Sequence, residues 1–168
     1  MPKSFKPVID ERAEILILGT MPGEASLRAA QYYAHKQNKF WPVIFALFAG
    51  GRAPLDYADK LAVLQKNKLA LWDSLAACIR RGSLDGDIRA ERPNKIPALL
   101  KKYGGIKRII FNGRAAHGYF VKHFGAPEDF CADFFVMPST SAANAKMSFA
   151  QKLSVWEKGL KMLPTKLL

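Results

Sequence analysis

Short apolar runs alternate with amphipathic segments along the chain. The runs at residues 15–18, 69–72, 107–111 and 134–137 predict four buried β-strands. Between them, apolar residues recur at helical spacing, which predicts helices that each bury one face. Strands that alternate with helices predict a single α/β domain over residues 1–168. We expect a three-layer α/β/α architecture with a central, mainly parallel four-stranded sheet.

The helix boundaries follow from capping residues. The first predicted helix has apolar positions Phe40, Val43, Ile44, Leu47 and Phe48, and ends at Gly50-Gly51. A second covers residues 56–66, and a fourth buries the face that contains residues 116, 119, 120 and 124. Residues 20–39 are predicted as a polar, aromatic loop, and residues 76–95 as a surface connection with at most a short helical turn.

Two further caps are predicted. Asn94 is expected to cap the third helix, and Ser148 with Gln151 forms a capping-box pattern at the start of the last one. The last helix is predicted to bury four residues, namely Phe149, Leu153, Trp156 and Leu160.

All four predicted strands end in small or polar residues. These residues are Gly19-Thr20, Asp73-Ser74, Asn112-Gly113 and Ser139-Thr140-Ser141. In parallel α/β sheets the ligand binds beyond the carboxyl ends of the strands. Met21-Pro22-Gly23 after the first strand favours a tight turn at the same edge. The sequence therefore predicts a binding site built from these strand ends.

The charge of the chain points to a polyanionic partner. Lys and Arg number 26 against 14 Asp and Glu, a net charge of +12 spread through a sequence of 168 residues that is 49% apolar. A folded, basic surface of this kind favours nucleic acid as the partner, although a basic soluble protein of another class has the same composition. We expect a monomer without an obligate protein partner.

Several classes of protein are disfavoured. Only Cys78 and Cys131 are present, which argues against a disulfide framework, a zinc site or an iron–sulfur cluster. His117 and His123 do not share a helix face, so we expect no metal site and no cofactor. The sequence has no apolar segment of signal-peptide or membrane-spanning type, so we expect a cytoplasmic protein, associated with the nucleoid if prokaryotic.

The polar residues near the strand ends have structural alternatives. Asn38 is either a helix cap or a pocket residue, and Tyr33 is either part of the core or a platform for a nucleobase. Asn112 and Asp73 either form turns or line a pocket. His35 is more typical of a surface histidine than of a catalyst.

The loop after the fourth strand is a second candidate for ligand contact. Ser139, Thr140, Ser141, Asn144 and Lys146 can grip phosphates, but the hydroxyls also suit local turns. The sequence lacks the serine elbow, the zinc-binding histidine pair and the phosphate-binding loop of common hydrolases.

Four ordered motifs resemble those of a known family. They are GTMPGEASLRAAQYYAHKQNKFW from Gly19, WDSL from Trp72, IIFNG from Ile109 and MPSTSAAN from Met137. Together they resemble the uracil-DNA glycosylase superfamily, and within it the hypoxanthine-DNA (deoxyinosine) glycosylase branch, near the mismatch-specific uracil-DNA glycosylases. The resemblance covers about residues 14–160.

The resemblance implies roles for individual residues. Asn38 matches the residue that orients the attacking water, Tyr33 the aromatic that stacks on the extruded base, and Asn112 a residue that contacts the base. The loop from Met137 to Asn144 matches the one that holds the DNA backbone and enters the duplex.

The chain also departs from the pattern of its resemblance. Met21 stands where mismatch-specific relatives have Asn, and Lys36-Gln37 replaces the Pro-Arg of the hypoxanthine branch.

These observations predict a monofunctional glycosylase of base-excision repair. It would bind double-stranded DNA and hydrolyse the N-glycosidic bond of a flipped, deaminated base, first of all hypoxanthine. Backbone N–H groups between Thr20 and Gly23 would donate to the leaving base, with Pro22, Gly19 and Asp73 beside it. The alternatives are a glycosylase for uracil in G:U mismatches or single strands, an enzyme acting on free nucleotides, and a non-catalytic DNA-binding module.

Overall fold

The computed structural model describes residues 1–53, 56–130 and 133–161; Cys131 lies outside them. Its strands are β1 Ile15–Gly19, β2 Leu69–Asp73, β3 Leu75–Ile79, β4 Arg89–Pro93, β5 Arg108–Asn112 and β6 Asp133–Met137. Its helices are α1 Glu24–Ala29, α2 Phe40–Phe48, α3 Tyr57–Lys66, α4 Ile96–Lys102, α5 Arg114–Phe124 and α6 Phe149–Lys161.

The four predicted strands form one parallel sheet in the order β2-β1-β5-β6. Strands β1, β2 and β5 are buried as predicted and are mainly aliphatic. Strand β6 was wrongly predicted as buried: it is the edge strand and only partly covered, with Val136 38% exposed. The register pairs Gly19 with Asp73 and Asn112 with Met137, so the carboxyl ends of neighbouring strands are level. The predicted convergence of these strand ends therefore exists.

Helices cover both faces of the sheet. On one face, Phe111 of β5 lies 5.3 Å from Phe120 of α5 between ring centroids. On the other face α6 packs so closely that a Cβ at Gly159 would lie 2.4 Å from Met137 Cε. Helix α2 lies on the α6 side, because Phe40 contacts Trp156 edge to face. The predicted three-layer α/β/α architecture is confirmed.

The region from residue 76 to residue 95 was wrongly predicted as a surface connection. It contains an antiparallel hairpin formed by β3 and β4. The connection between the two strands includes a 3₁₀ turn at Asp85–Asp87, which is the short helical turn expected in this region. Strand β3 is buried through Leu75 and Cys78, which pack with Met21 and Ile88 in a second, smaller core. Strand β3 is a short apolar run and β4 is mainly charged, so the pair lacks the alternation of apolar and polar residues that is typical of an antiparallel hairpin.

Other local predictions are corrected or confirmed. Asn94 does not cap α4 through its side chain; its amide donates to the carbonyls of Asp73 and Leu75 and ties the hairpin to β2. Phe149 is 39% exposed rather than buried, because it lies at the first turn of α6 beyond the sheet. The capping box is confirmed by reciprocal bonds between Ser148 and Gln151.

Helix α1 was not predicted. It has only six residues, is separated from β1 by residues 20–23, and lies inside the segment expected to be a loop. Helix α2 ends at Phe48, two residues before the predicted stop, and both glycines of the predicted stop adopt positive φ angles.

Candidate active site

A cavity of about 520 Å³ opens at the carboxyl edge of the sheet. It is lined by nearly all of the predicted site residues, namely Gly19, Thr20, Met21, Pro22, Gly23, Tyr33, Asn38, Asp73, Asn112, Ser139, Thr140, Ser141 and Asn144. Lys146 is exposed and does not line the cavity. A volume of this size accommodates a nucleobase with its sugar.

Tyr33 is held in the wall of the cavity by stacking and by one hydrogen bond. Its ring stacks on Phe40 with 4.1 Å between centroids, and its hydroxyl accepts a bond of 3.0 Å from the Asn112 amide. Its backbone adopts a left-handed conformation with φ 55°, which is uncommon for a bulky residue. Burial raises the pKa of the Tyr33 phenol, and the nearby Asp73 raises it further, so the phenol stays neutral.

Asn112 joins the end of β5 to the loop after β6. Its amide nitrogen donates to Tyr33 Oη and to Thr140 Oγ1, and its oxygen accepts from the Thr140 backbone N–H at 2.9 Å. Both amide hydrogens are therefore engaged within the protein, and one lone pair of the oxygen stays available. In this state Asn112 positions Tyr33 and Thr140.

Asp73 provides a buried carboxyl group beside β1. It is only 3% exposed, and its Oδ2 accepts a hydrogen bond of 2.6 Å from the Ser4 hydroxyl. Burial raises the pKa of Asp73 to about 7; Asp85 also raises it, whereas Ser4 and Arg80 lower it. The carboxyl group thus changes its protonation state near neutral pH.

This pKa predicts a pH-dependent penalty on stability. The pKa of Asp73 is raised from 3.8 in the unfolded chain to about 7, so the folded state binds the proton more tightly. Stability is therefore lost as pH rises through this window, by up to about 4 kcal/mol. We expect the Asp73→Asn variant to lack this loss, because its neutral amide still accepts from Ser4.

Urea unfolding of both proteins at pH 4.5, 6 and 8 measures the effect. The difference between variant and wild type isolates Asp73 from the other carboxyl groups. Free energies of unfolding that run parallel across the pH range would contradict the prediction.

Asn38 lies in the turn that leads into α2 and is half-buried at the cavity wall. Its oxygen accepts a bond of 2.9 Å from the Phe40 backbone N–H, the first N–H of α2, although Lys39 and not Asn38 holds the N-cap position. Within the part of the chain that the structure describes, its amide nitrogen makes no hydrogen bond. A role at the start of α2 and a role in the cavity are therefore compatible, since the Asn38 oxygen bonds the first N–H of α2 and its nitrogen is unused.

The β3–β4 hairpin supplies a wall that the sequence did not predict. Ser83, Leu84 and Asp85 line the cavity opposite the Ser139–Ser141 loop. Ser83 Oγ accepts from the Glu24 backbone N–H at 3.0 Å, and Asp85 accepts from Thr20 Oγ1 at 2.9 Å. The turn-forming sequence SLDGD was a possible signal for the hairpin, but nothing in it indicated contact with β1.

The loop after β6 is organised by its own side chains. Ser139 Oγ accepts from the Ser141 backbone N–H, and Asn144 donates to the Ser139 carbonyl at 3.1 Å. Lys152 of α6, 3% exposed, donates from Nζ to the Asn144 carbonyl at 2.7 Å. The local-turn alternative is therefore realised, and a phosphate contact by this loop stays a prediction.

No group of three or more metal-binding side chains occurs among the described residues. His117 stacks on Phe134, and His123 lies 3.6 Å from Glu91, so the two histidines have separate surroundings. Across residues 1–53, 56–130 and 133–161, no helix has the length and apolarity needed to cross a membrane.

Comparison with known proteins identifies similar chains. Residues 6–159 match the family described as the Uracil DNA glycosylase superfamily. A protein named hypoxanthine DNA glycosylase from Methanosarcina barkeri is 38% identical over 117 residues, 70% of this chain and 74% of that protein. One of the same name from Methanosarcina acetivorans is 34% identical over 157 residues, 92% and 95% of the two chains. The solution NMR structure of a candidate uracil DNA glycosylase from Methanosarcina acetivorans has a TM-score of 0.77 at 34% identity, covering 94% of this chain and 95% of that one.

Proposed function

The chain belongs to the uracil DNA glycosylase superfamily, and we propose that it removes hypoxanthine from DNA by hydrolysing the N-glycosidic bond of deoxyinosine. The observation that carries this proposal is the unused Asn38 amide nitrogen on a cavity bounded by four strand ends. Support for the base comes from two similar proteins named hypoxanthine DNA glycosylase. The proposal includes double-stranded DNA as the partner and a cytoplasmic location.

The target base must leave the helix before its glycosidic bond can be reached. The extruded base enters the cavity against Tyr33, whose ring is fixed by Phe40 behind it. Bond cleavage places positive charge on the sugar and negative charge on the base. Asn38 has no group that titrates near neutral pH, so it acts by holding the attacking water in line rather than by removing a proton.

The hairpin orients donors for the departing base. The Thr20 carbonyl accepts from the Leu75 backbone N–H, and the Pro22 carbonyl accepts from Arg80 Nη2, so both carbonyls point toward the hairpin. In a trans peptide the following N–H points the opposite way. The N–H groups of Met21 and Gly23 therefore point away from the hairpin, and both residues line the cavity. Paired N–H donors of this kind stabilise developing negative charge.

The test is an assay on matched duplexes that contain deoxyinosine, deoxyuridine or deoxyxanthosine. We expect abasic sites from deoxyinosine, detected as strand breaks only after alkali, because a monofunctional glycosylase leaves the backbone intact. A heat-unfolded sample of the protein serves as the inactive control. The Asp73→Asn variant does not serve for this purpose, because Asp73 faces the cavity. Cleavage of deoxyuridine alone would reject hypoxanthine as the substrate.

Uracil in G:U mismatches or single strands is the second candidate. It is favoured by the similarity to the solved structure of the candidate uracil DNA glycosylase, which covers nearly the whole chain. The same three duplexes, with a single-stranded deoxyuridine substrate added, separate the two bases. Tight binding without an abasic product from any of them would instead indicate a DNA-binding module.

DNA binding is expected to weaken steeply with salt. The net charge of +12 predicts several contacts to phosphates, each of which lowers the logarithm of affinity by about 0.9 per unit of log salt. Fluorescence anisotropy of a labelled duplex, measured at salt concentrations from about 50 to about 300 mM, gives the slope of log affinity against log salt. A slope near zero would contradict a phosphate-based interface.

A further inference from the structure

Arg80 follows β3 and carries a guanidinium group that is almost completely buried. Its side chain is 1% exposed, and its Nη2 donates a hydrogen bond to the Pro22 carbonyl. Its ion pair with Asp85 has 3.6 Å between Nη1 and Oδ1, which is too long for a hydrogen bond. Within the described residues, Nε and Nη1 have no hydrogen-bond partner. The hydrogen bond that this buried cation makes is therefore to a backbone carbonyl and not to a carboxylate.

Arg108 shows how this fold pairs a buried arginine that lies away from the cavity, at the amino end of β5. Its side chain is 6% exposed, with Nη2 3.0 Å from Asp133 Oδ2 and Nη1 2.7 Å from the Gly159 carbonyl. A close carboxylate of this kind offsets the cost of removing a charge from water. Arg80 lacks such a bond among the described residues, and a neutral donor would tie the hairpin to Pro22 at a lower desolvation cost. The charge of Arg80 therefore needs an explanation other than its role as a tether.

The peptide that Arg80 bonds has its other end in the active-site cavity. The Pro22–Gly23 peptide is trans, so the Gly23 N–H points away from the carbonyl that accepts from Arg80. Gly23 lines the cavity, and its N–H makes no hydrogen bond to any of the described residues. Hydrogen bonds at the two ends of a peptide polarise it in the same sense, and a charged donor does so more strongly than a neutral one.

The hairpin also restrains the loop that contains this peptide. Asp85 accepts from Thr20 Oγ1 at 2.9 Å, and Ser83 Oγ accepts from the Glu24 backbone N–H at 3.0 Å. Ser83 packs so closely that a Cβ at Gly23 would lie 3.1 Å from its Oγ. These contacts limit rotation of the peptide, so its N–H stays directed into the cavity without reorganisation during the reaction.

We propose that Arg80 is a positioning residue whose buried positive charge polarises the Pro22–Gly23 peptide and makes the Gly23 N–H a stronger donor to the departing base. This inference rests on the proposed glycosylase function, and it names a source of positive charge behind the backbone donors. Arg80 does not line the cavity, so it acts through the peptide rather than by touching the base.

The first experiment measures the Gly23 amide in the free protein and does not depend on cleavage. Hydroxide-catalysed hydrogen exchange becomes faster as an N–H becomes more acidic, and NMR of ¹⁵N-labelled protein resolves it for each amide. In Arg80→Met, which loses the charge, we expect Gly23 to exchange about 10- to 30-fold more slowly than in wild type. Arg80→Lys keeps the charge and should stay within about 3-fold. Asp85→Asn removes a nearby negative charge and should accelerate exchange at Gly23.

The direction of these changes separates polarisation from tethering. A tether alone predicts faster exchange in both Arg80→Met and Asp85→Asn, because each would loosen the loop. The Met21 N–H is an internal control, since the preceding Thr20 carbonyl accepts from the uncharged Leu75 N–H, and we expect it to change less than about 3-fold in Arg80→Met.

Arg89→Met is the matched control variant. It removes an exposed cation of the same hairpin, one that bonds the Gly86 and Ile88 carbonyls, and we expect Gly23 exchange to be unchanged. If Arg80→Met does not fold, Arg80→Gln supplies a second neutral side chain for the same measurements.

The second experiment measures single-turnover cleavage of a deoxyinosine duplex, with anisotropy for binding. We expect Arg80→Met to cleave about 10- to 30-fold more slowly with unchanged affinity, and Arg80→Lys to stay within about 3-fold of the wild-type rate. If wild type does not cleave deoxyinosine, the proposed function is rejected and the exchange rates alone decide the role of Arg80. The inference is overturned if Gly23 exchanges as fast in Arg80→Met as in wild type, or if Arg80→Lys loses as much rate as Arg80→Met.

Discussion

Replacing Asn38 with serine is expected to lower the rate of base release about 1,000-fold while leaving DNA affinity within about 3-fold of wild type. The Asn38 amide reaches the cavity wall, and its nitrogen has no partner among the described residues, so it is available to hold the attacking water. Serine is too short to replace that contact. Single-turnover cleavage of a deoxyinosine duplex, with anisotropy for binding, measures both quantities.

The choice of serine separates catalysis from capping. Asn38 also accepts from the Phe40 backbone N–H, so alanine would cost about 1 kcal/mol of stability by removing this hydrogen bond at the start of α2. Serine is a good capping residue, and we expect its free energy of unfolding to match wild type. If Asn38→Ser cleaves at the normal rate whereas Asn38→Ala is slow and less stable, Asn38 acts only as a cap and the catalytic assignment fails.

The sheet could be predicted from the sequence because parallel strands buried on both faces need continuous apolar runs. The residues directly before and after Ile17 and Ile110 are apolar, so these segments were recognisable as buried strands. The site edge followed from the same logic, since polar residues such as Asp73 and Asn112 end those runs. Residue types and the expected parallel arrangement of the strands were therefore enough to locate the cavity.

The hairpin could not be predicted, because its stability depends on contacts distant in sequence. Strand β3 is a short apolar run without alternation, and it is buried by the N-terminal segment, where Lys3 bridges to Ala77. The hydrogen-bond partners of the predicted site residues could not be predicted either. Nothing local to Asn112 indicated that its amide is engaged by Tyr33 and Thr140, which are 79 and 28 residues away.

The Gly19→Ala variant is expected to cleave deoxyinosine about 100-fold more slowly, because small displacements of reacting groups cost that much. A Cβ at Gly19 would lie 2.6 Å from Asp73 Oδ1 and 2.9 Å from Tyr33 Oη. Neither neighbour moves freely, since Asp73 is bonded to Ser4 and Tyr33 to Asn112. We also expect a loss of about 1–3 kcal/mol in stability, as for other overpacked sites.

Gly118→Ala is the matched control for Gly19→Ala. Gly118 lies in α5 with nothing within 4 Å of an added Cβ, so alanine there should raise stability by about 0.5–1 kcal/mol and leave the rate unchanged. Urea unfolding and single-turnover cleavage below the unfolding transition separate a shifted site from an unfolded one. A folded Gly19→Ala protein with normal activity would show that Tyr33 and Asp73 need not hold their present positions. The placement of the base against Tyr33 and beside Asp73 would then be wrong.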